Sequence, residues 1–391
     1  MSNAPRTTPT TIPLSQPDIT AREIEAVTQV MKSGTLSIGP KVEEFEHKCA
    51  AIAGRSHGVA VSSGTSGLHL CMLAAGIDEG DEVITTPFSF VASANAPLFV
   101  GATPVFADID PKSLNLDPKL VEEKITPRTK AILAVETFGH PAHMDALEAI
   151  ARRNELILIE DCCEGFGGRL GDRAIGSFGR AGVFGFYPNK QITTGEGGMI
   201  VTDDDTFADF CKSLRNQGRD GMGGGGWLAH RRLGYNYRLS EINAAIGCVQ
   251  CDRLEEILEG RRKAAQMYTD RLMDSRYLIL PTLGENDHAS WFVFVVRLND
   301  LFEAGDRDEV IRRLRMKGIG CSNYFPPIHL QPYMKEQFGF KAGMFPVTEY
   351  VSDRTLALPF FSTITEEQVD RACRVLGEVL EGTLLNRKRA V

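Results

Sequence analysis

One lysine of this sequence lies in a setting that could turn an amine into a nucleophile. Lys190 is part of "FGFYPNKQITTGEGG" (184–198), behind aromatic residues and ahead of threonines and glycines. Burial and nearby cations disfavour the charged form of an amine, and such flanks would supply a closed site with close backbone approach. A lysine on a loop is more often a solvated surface charge. Lys190 by itself leaves both interpretations open, and the surface charge is the commoner one.

An aspartate stands at the end of a strand-like run upstream. Asp161 ends "LILIED" (156–161), whose continuous apolar residues are typical of a strand buried on both faces. Ligands of α/β sheets bind at the carboxyl ends of such strands, and an ionised carboxylate there requires a partner. The alternative is that Asp161 caps the start of a helix.

Two further motifs supply groups that a phosphorylated aromatic ligand needs. The Gly-rich turn "SSGTSG" (62–67) opens a helix, so its backbone N–H groups could bind an anion, with Ser63, Thr65 and Ser66 as added donors. The motif "FSF" (88–90) follows a predicted strand and could place a ring at the same edge. The alternatives are simple helix capping for the first motif and core packing for the second.

The four features together describe one kind of site. An amine, a carboxylate, an anion cradle and a flat aromatic ring at the ends of parallel strands are the parts that pyridoxal phosphate requires. No metal site is expected, because His140 and His143 lack a third ligand at a suitable spacing.

The elements that must position these residues follow from the hydrophobic pattern. Strand-like and helical segments alternate, which predicts a mainly parallel sheet covered by helices, with its ligand site along one edge. Predicted strands are 81–86, 103–109, 131–136, 156–161, 181–187 and 197–202, and predicted helices include 20–32, 62–76, 117–125, 145–154 and an unbroken 240–273. The first helix is predicted from Ile24, Val27, Val30 and Met31, which recur at helical spacing.

A smaller α+β unit is expected to follow the large one. Its predicted elements are a strand at 291–298, a helix at 307–317 and a last helix that begins with a capping box of Thr365 and Gln368. We expect an extended N-terminal arm at 1–18, a large cofactor-binding domain at 19–258 and a small C-terminal domain at 259–391.

Composition excludes several classes of function. The 391 residues are 43% hydrophobic and 24% charged, with a net charge of −8 and no block of like charges, which disfavours nucleic-acid and membrane-surface binding. No run is long and apolar enough for a membrane span, and the first residues lack the apolar core of a signal peptide. Nine scattered cysteines, an odd number, indicate a reducing, cytoplasmic compartment.

The sequence resembles the DegT-type sugar aminotransferases, a group of fold type I pyridoxal-phosphate enzymes. The resemblance extends from "SGTLSIGPKVEEFE" (33–46) to the last helix. It is carried by the motifs "SSGTSGLHL", "GDEVITTPFSFVASANAPLFVGATPVFADID", "IEDCCEGFGG", "FYPNKQITTGEGGMIVTDD", "LGYNYRLSEINAAIG" and "YFPPIHLQPYM". It implies a three-layer α/β/α large domain, a smaller α+β domain and an amino-transfer reaction.

The resemblance also implies roles for matching residues. Lys190 is similar to the lysine that forms the Schiff base with pyridoxal 5′-phosphate and moves a proton, and Asp161 to the partner of the pyridinium nitrogen. The implied phosphate cradle and stacking ring are Gly64, Thr65, Ser66 and Phe90. Asn236 in "GYNYR" is similar to the asparagine that reaches the phosphate of the neighbouring subunit, which implies a homodimer with shared sites.

Two positions depart from the family pattern. Gly185 stands where many members carry a phosphate-binding serine, so one contact is missing or replaced by water. Glu164 stands where Gln or His lies beside the cofactor's O3′, and a second carboxylate there is unfavourable unless one is protonated. We predict a raised pKa for Glu164 or its displacement from O3′.

The implied reaction transfers nitrogen from an amino acid, glutamate, to a nucleotide-linked keto-deoxy sugar, in a manner similar to perosamine-synthase-like enzymes. Tyr324 and His329 are the candidate sugar contacts, and Arg238 the candidate for the donor's carboxylate. The loop 218–230, with Arg219 and Trp227, is a candidate cover for the nucleotide. The alternatives are a cyclitol or other non-nucleotide keto substrate, and a non-catalytic regulatory relative.

Overall fold

The computed structural model describes residues 11–219 and 229–390. Its α-helices are α1 (Ala21–Ser33), α2 (Pro40–Ala53), α3 (Gly64–Ala74), α4 (Ala92–Leu98), α5 (Pro118–Glu123), α6 (Met144–Arg153), α7 (Asp205–Arg215), α8 (Glu241–Asp252), α9 (Leu254–Leu272), α10 (Asp306–Met316), α11 (Pro332–Phe338), α12 (Pro346–Ser352) and α13 (Glu366–Ala390). Its strands are β1 (His57–Val61), β2 (Glu82–Thr85), β3 (Thr103–Phe106), β4 (Thr129–Val135), β5 (Ile157–Asp161), β6 (Arg169–Leu170), β7 (Arg173–Ala174), β8 (Ala181–Gly185), β9 (Gly198–Thr202), β10 (Leu278–Ile279), β11 (Asp287–His288), β12 (Phe294–Leu298) and β13 (Thr355–Leu358). Among the described helices, none has the length and apolar character of a membrane span.

The central sheet has seven strands in the order β1-β9-β8-β5-β4-β2-β3. Neighbouring strands from β3 to β8 pair in parallel, and β9 runs antiparallel to both of its neighbours, β1 and β8. Ile159 packs beneath α3 and α7 on one face, while Leu158 packs beneath α6 on the other. The predicted mainly parallel sheet between two helical layers is confirmed, and β5 carries Asp161 to its carboxyl edge.

A second, three-stranded sheet lies in the C-terminal part of the chain. It has the order β10-β12-β13, with antiparallel pairing throughout. Its apolar face, which includes Phe294, packs against Tyr268 of α9, Val310 of α10 and Leu376 of α13. The expected capping box is present, since Thr365 N–H donates to Gln368 Oε1 (3.0 Å) and Gln368 N–H donates to Thr365 Oγ1 (3.3 Å). The domain boundary at 258/259 stays a proposal.

The helix predicted over 240–273 is in fact two helices. α8 ends at Asp252, α9 begins at Leu254, and the residue between them, Arg253, is buried. Its guanidinium donates to Asp18 Oδ1 (2.8 Å) and to Glu23 Oε1 (2.8 Å). Both helices bury apolar side chains, so the hydrophobic pattern continues across the break and does not reveal it.

The strand predicted over 291–298 is shorter than expected. β12 begins at Phe294, where its pairing with β13 starts, and the carbonyl oxygens of Trp291 and Phe292 accept hydrogen bonds from the Arg261 side chain. Residues 291 and 292 are therefore part of a loop that approaches the end of the large sheet.

Candidate active site

Lys190 lies in the turn between β8 and β9. Thr193 Oγ1 and Thr194 N–H both donate to the Phe186 carbonyl, at 3.0 and 3.1 Å, and close the loop around it. The Lys190 side chain is only 14% exposed, with Nζ 3.4 Å from Glu164 Oε1 and 3.9 Å from the centre of the Phe292 ring. The amine is therefore enclosed between a carboxylate and an aromatic face, and is not a solvated surface charge.

Phe184 and Phe186 do not enclose the Lys190 amine, contrary to our expectation. Phe184 and Phe186 are buried, and both rings contact Phe166 in the core between the sheet and its helices. Residues 184 and 186 are two positions apart in extended chain, so both side chains lie on the same face of the sheet. Their packing in the core holds the start of the loop. The ring beside the amine belongs to Phe292, which lies 102 residues further along the chain (292 − 190).

Asp161 ends β5 between Val135 of β4 and Val183 of β8. Its carboxylate is nearly fully buried and accepts from Ser93 Oγ (2.9 Å) and from the Cys163 N–H (3.3 Å). The residues that follow it form turns and lead into β6, so the helix-cap alternative is excluded. Ser93 orients the carboxylate, and no sequence signal singled it out.

Glu164 joins the amine to a neighbouring loop. Its Oε1 faces Lys190, and its Oε2 accepts from the Phe138 N–H at 2.8 Å. Burial raises the pKa of Glu164, while the Lys190 charge and the Phe138 N–H oppose that rise. Tyr324 belongs to the same group of side chains, since its pKa is raised by burial and by the charge of Glu164.

The turn "SSGTSG" begins α3 with a capping box. Ser66 N–H donates to Ser63 Oγ (3.1 Å), and Ser66 Oγ accepts from Ser63 N–H (3.0 Å). Gly64 and Thr65 occupy the first two helical positions, whose N–H groups have no acceptor within the helix. The structure thus supports an anion cradle at Gly64 and Thr65, while Ser66 serves the cap and its cofactor contact stays a prediction.

Cys163 fills the space between two glycines beside this turn. A Cβ on Gly64 would lie 2.6 Å from Cys163 Sγ, and one on Gly185 would lie 3.3 Å from Cys163 Sγ and Cβ. A serine at position 185 would therefore crowd the thiol. The structure links the unusual Gly185 to a neighbouring cysteine, a relation that the sequence did not show.

The two phenylalanines of "FSF" have different surroundings. Phe88 is buried and packs edge-on against Phe138 and Phe325, so core packing is correct for it. Phe90 is 60% exposed and lies three residues before Ser93, the hydrogen-bond partner of Asp161. Four groups fit pyridoxal phosphate in chemical type: the exposed ring of Phe90, the Asp161 carboxylate, the Lys190 amine and the anion cradle. A side chain at position 64 would collide with Cys163.

The comparisons with known proteins agree with this site. The sequence model that describes the DegT/DnrJ/EryC1/StrS aminotransferase family matches residues 17–377 of this chain. The chain belongs to this family. It is 37% identical to the spore coat polysaccharide biosynthesis protein SpsC of Bacillus subtilis (strain 168) over 95% of this chain and 97% of SpsC.

Solved structures of aminotransferases share the fold. PseC of Helicobacter pylori, an aminotransferase involved in the biosynthesis of pseudoaminic acid, is 27% identical with a TM-score of 0.89, over 95% of this chain and all of PseC. The PMP form of the putative sugar aminotransferase Spr1654 of Streptococcus pneumoniae is 26% identical with a TM-score of 0.90, over 95% and 100% of the two chains. This protein is accordingly a fold type I, pyridoxal-phosphate-dependent aminotransferase with relatives in sugar biosynthesis.

Three predicted residues of this DegT-family protein lie apart from the contacts around Lys190. His329 is fully buried, with Nε2 3.0 Å from Glu349 Oε1 and its ring against Phe345, and burial lowers its pKa. Arg238 donates to Asn216 Oδ1 (3.0 Å), and Asn236 is exposed. The substrate roles of His329 and Arg238 stay predictions, and the contacts of His329 favour a structural one.

Arg238 lines a cavity of about 710 Å³ together with Arg215, Arg219 and Arg232. None of Lys190, Asp161 and Glu164 is among the residues that line it, so within one chain the cavity is separate from the amine. Most of the predicted covering loop, including Trp227, lies outside the described residues.

A buried pair of carboxyl groups, those of Glu136 and Glu160, was not predicted from the sequence. Glu136, Glu160 and Cys162 have ligand atoms within 4.8 Å of one another. Glu160 accepts from the N–H groups of Gly176, Phe178 and Gly179, which satisfy its charge. Burial and the neighbouring Glu160 raise the pKa of Glu136 well above its usual value, which favours the neutral form of Glu136.

Replacing Glu164 with glutamine tests its effect on the Lys190 nitrogen. A carboxylate stabilises positive charge 3.4 Å away, so its removal is expected to lower the pH midpoint of the bound cofactor's absorption band by about one unit. Because burial raises the pKa of Glu164, the difference is complete only above that raised pKa. Glu196→Gln, an exposed change in the same loop, is the control. Identical titrations of Glu164→Gln and the parent would contradict the prediction.

Proposed function

We propose that this protein transfers the amino group of glutamate to a nucleotide-linked keto-deoxy sugar. The observation that carries the proposal is the enclosed Lys190 amine, which shares one sheet edge with the buried Asp161 carboxylate and the exposed ring of Phe90. Names of relatives add support, since SpsC and PseC are named for polysaccharide and pseudoaminic acid biosynthesis. The product would serve a surface polysaccharide or a glycosylated metabolite.

Each residue of the site has a distinct task in this proposal. Bound pyridoxal phosphate supplies an electron sink that carries the amino group between two substrates. The N–H groups of Gly64 and Thr65 would hold its phosphate, Phe90 would pack against its ring, and Asp161 would keep a proton on the ring nitrogen. Lys190 Nζ holds the cofactor covalently and moves the substrate proton, with Glu164 beside it.

The proposal includes a homodimer with shared sites. The first helix has the predicted period, but it buries Glu23 and Val30 and leaves Ile24 and Met31 63% and 64% exposed. Leu233 is also exposed, three residues before Asn236. Exposed apolar side chains of this kind favour burial against another chain, and Asn236 would then reach the phosphate of the neighbouring site. A cytoplasmic location completes the proposal.

A substrate panel tests the acceptor. With UDP-, GDP- and dTDP-linked keto sugars and ¹⁵N-labelled glutamate, we expect labelled nitrogen in one nucleotide sugar, detected by mass spectrometry, and none with the same sugars lacking the nucleotide. The four arginines of the cavity favour an acceptor that carries phosphates. Transfer to a cyclitol or free keto sugar alone would replace this acceptor, and a protein that binds cofactor but transfers nothing would favour the non-catalytic alternative.

A further inference from the structure

Arg261 of α9 connects three backbone positions at the active site. Its Nη2 donates to the carbonyl of Lys190 (2.7 Å), and its Nη1 donates to the carbonyls of Trp291 and Phe292 (both 3.1 Å). The side chain is fully enclosed, with the residue only 3% exposed. One guanidinium therefore ties the backbone of Lys190 to the backbone of the residue whose ring contacts the Lys190 amine.

This guanidinium has no acidic partner within ion-pair distance among residues 11–219 and 229–390. The nearest acidic influence is Asp18, whose carboxylate is hydrogen-bonded to Arg253 and Ser362. Burial lowers the pKa of Arg261 to about 10, so it remains charged at neutral pH. A buried charge requires strong hydrogen bonds, and here three carbonyl oxygens accept from Nη1 and Nη2, while the buried Nε has no partner among the described residues. The arrangement thus holds three carbonyls at fixed positions around one rigid, planar group.

Two sides of the Lys190 amine depend on those carbonyls. The Lys190 carbonyl fixes the backbone from which the side chain starts, and the Phe292 carbonyl fixes the ring 3.9 Å from Nζ. Residues 190, 261 and 292 belong to separate segments, and the segments of 190 and 292 are also joined by a hydrogen bond from Gln191 Nε2 to Ser290 Oγ (2.7 Å). Loss of the guanidinium would remove the hydrogen bonds that hold the Lys190 and Phe292 carbonyls directly, and would loosen the amine relative to its aromatic neighbour.

We propose that Arg261 is a positioning residue that sets the orientation of the Lys190 amine through the carbonyls of Lys190, Trp291 and Phe292. The proposal rests on the role of Lys190 in the proposed function. It does not depend on the identity of the acceptor sugar.

The test uses Arg261→Met, which keeps an unbranched chain but removes the donors, with Arg262→Met, an exposed neighbour on α9, as its control. Two reactions are followed by absorbance: capture of pyridoxal phosphate by the full-length apoprotein, and the half-reaction of the loaded enzyme with glutamate. We expect both rate constants to fall about 10- to 100-fold in Arg261→Met, with little change in the KM for glutamate and none in Arg262→Met.

A structural role alone would lower the unfolding midpoint without slowing cofactor capture by the folded apoprotein or the glutamate half-reaction of the loaded enzyme. That result would overturn the proposal. If Arg261→Met does not fold, Arg261→Lys is measured in the same way, since one ammonium cannot replicate a planar fork to three carbonyls.

A double variant tests the connection to Phe292. The loss in Arg261→Met with Phe292→Leu should be smaller than the product of the single losses, because both changes release the same amine. Independent, multiplying losses would count against the proposal. Failure of the parent protein to capture cofactor through Lys190 would instead refute the proposed role of Lys190 itself, so the two failures are distinguishable.

Discussion

Lys190→Ala is expected to abolish amino transfer, with a loss of more than about 10⁴-fold. The variant loses both the covalent attachment of the cofactor and the group that moves the substrate proton, and proton transfer alone is worth about 10²- to 10⁴-fold. The measurements are transfer of ¹⁵N from glutamate and the absorption band of the bound cofactor. Lys263→Ala, a change of an exposed lysine on α9, should leave both unchanged.

Lys190→Arg separates chemistry from structure at the same position. Arginine keeps a cation beside Glu164 and over the Phe292 ring, so the folded state should be retained. It cannot form the same link to the cofactor, and it is not deprotonated under working conditions. Activity in Lys190→Arg within tenfold of the parent would show that Lys190 acts only as an ion-pair partner.

Local sequence was sufficient for the parts of the site that lie on strand ends and turns. Asp161 ends a strand with a continuous apolar run, and the capping box of Ser63 and Ser66 involves two residues only three positions apart. Such features depend on period and on turn chemistry, which a single segment contains. The order of strands in the sheet confirmed that these segments end at a common edge.

Contacts between distant segments could not be predicted in the same way. Phe292, Arg261 and Ser93 become neighbours of the site only when the sheet and the C-terminal unit pack, and each belongs to an ordinary apolar or helical pattern. The first helix shows the same limit from the other side. Its helical period was predicted, but the face that it buries includes Glu23, which forms an ion pair with Arg253. A hydrophobic pattern does not indicate such a pair.

Arg253→Met is expected to lower the free energy of unfolding by about 3 to 5 kcal/mol. The arginine side chain is buried between Asp18 and Glu23, and removing one member of a buried ion pair leaves a charge without its partner. Glu23 would keep only the neutral donors Thr20 and Gln250. Urea unfolding at pH 7.5, followed by circular dichroism, measures the change. Glu256→Gln removes an exposed partner of the same arginine and should cost less than about 1 kcal/mol.

Acid titration gives this prediction a second, independent signature. Burial alone would raise the pKa of Glu23, but hydrogen bonds from Thr20, Arg253 and Gln250 lower it to about 2 from an ordinary value of 4.5. The folded chain therefore binds fewer protons at Glu23 than the unfolded chain, and this stabilisation is complete above pH 4.5 and is lost as the pH falls toward 2. The difference in unfolding free energy between the parent and Arg253→Met should narrow over that interval, because the variant has already lost the charged donor. A difference that stays constant from pH 7 to pH 3 would mean that the stabilisation comes from packing of the arginine stem rather than from the Glu23 ion pair.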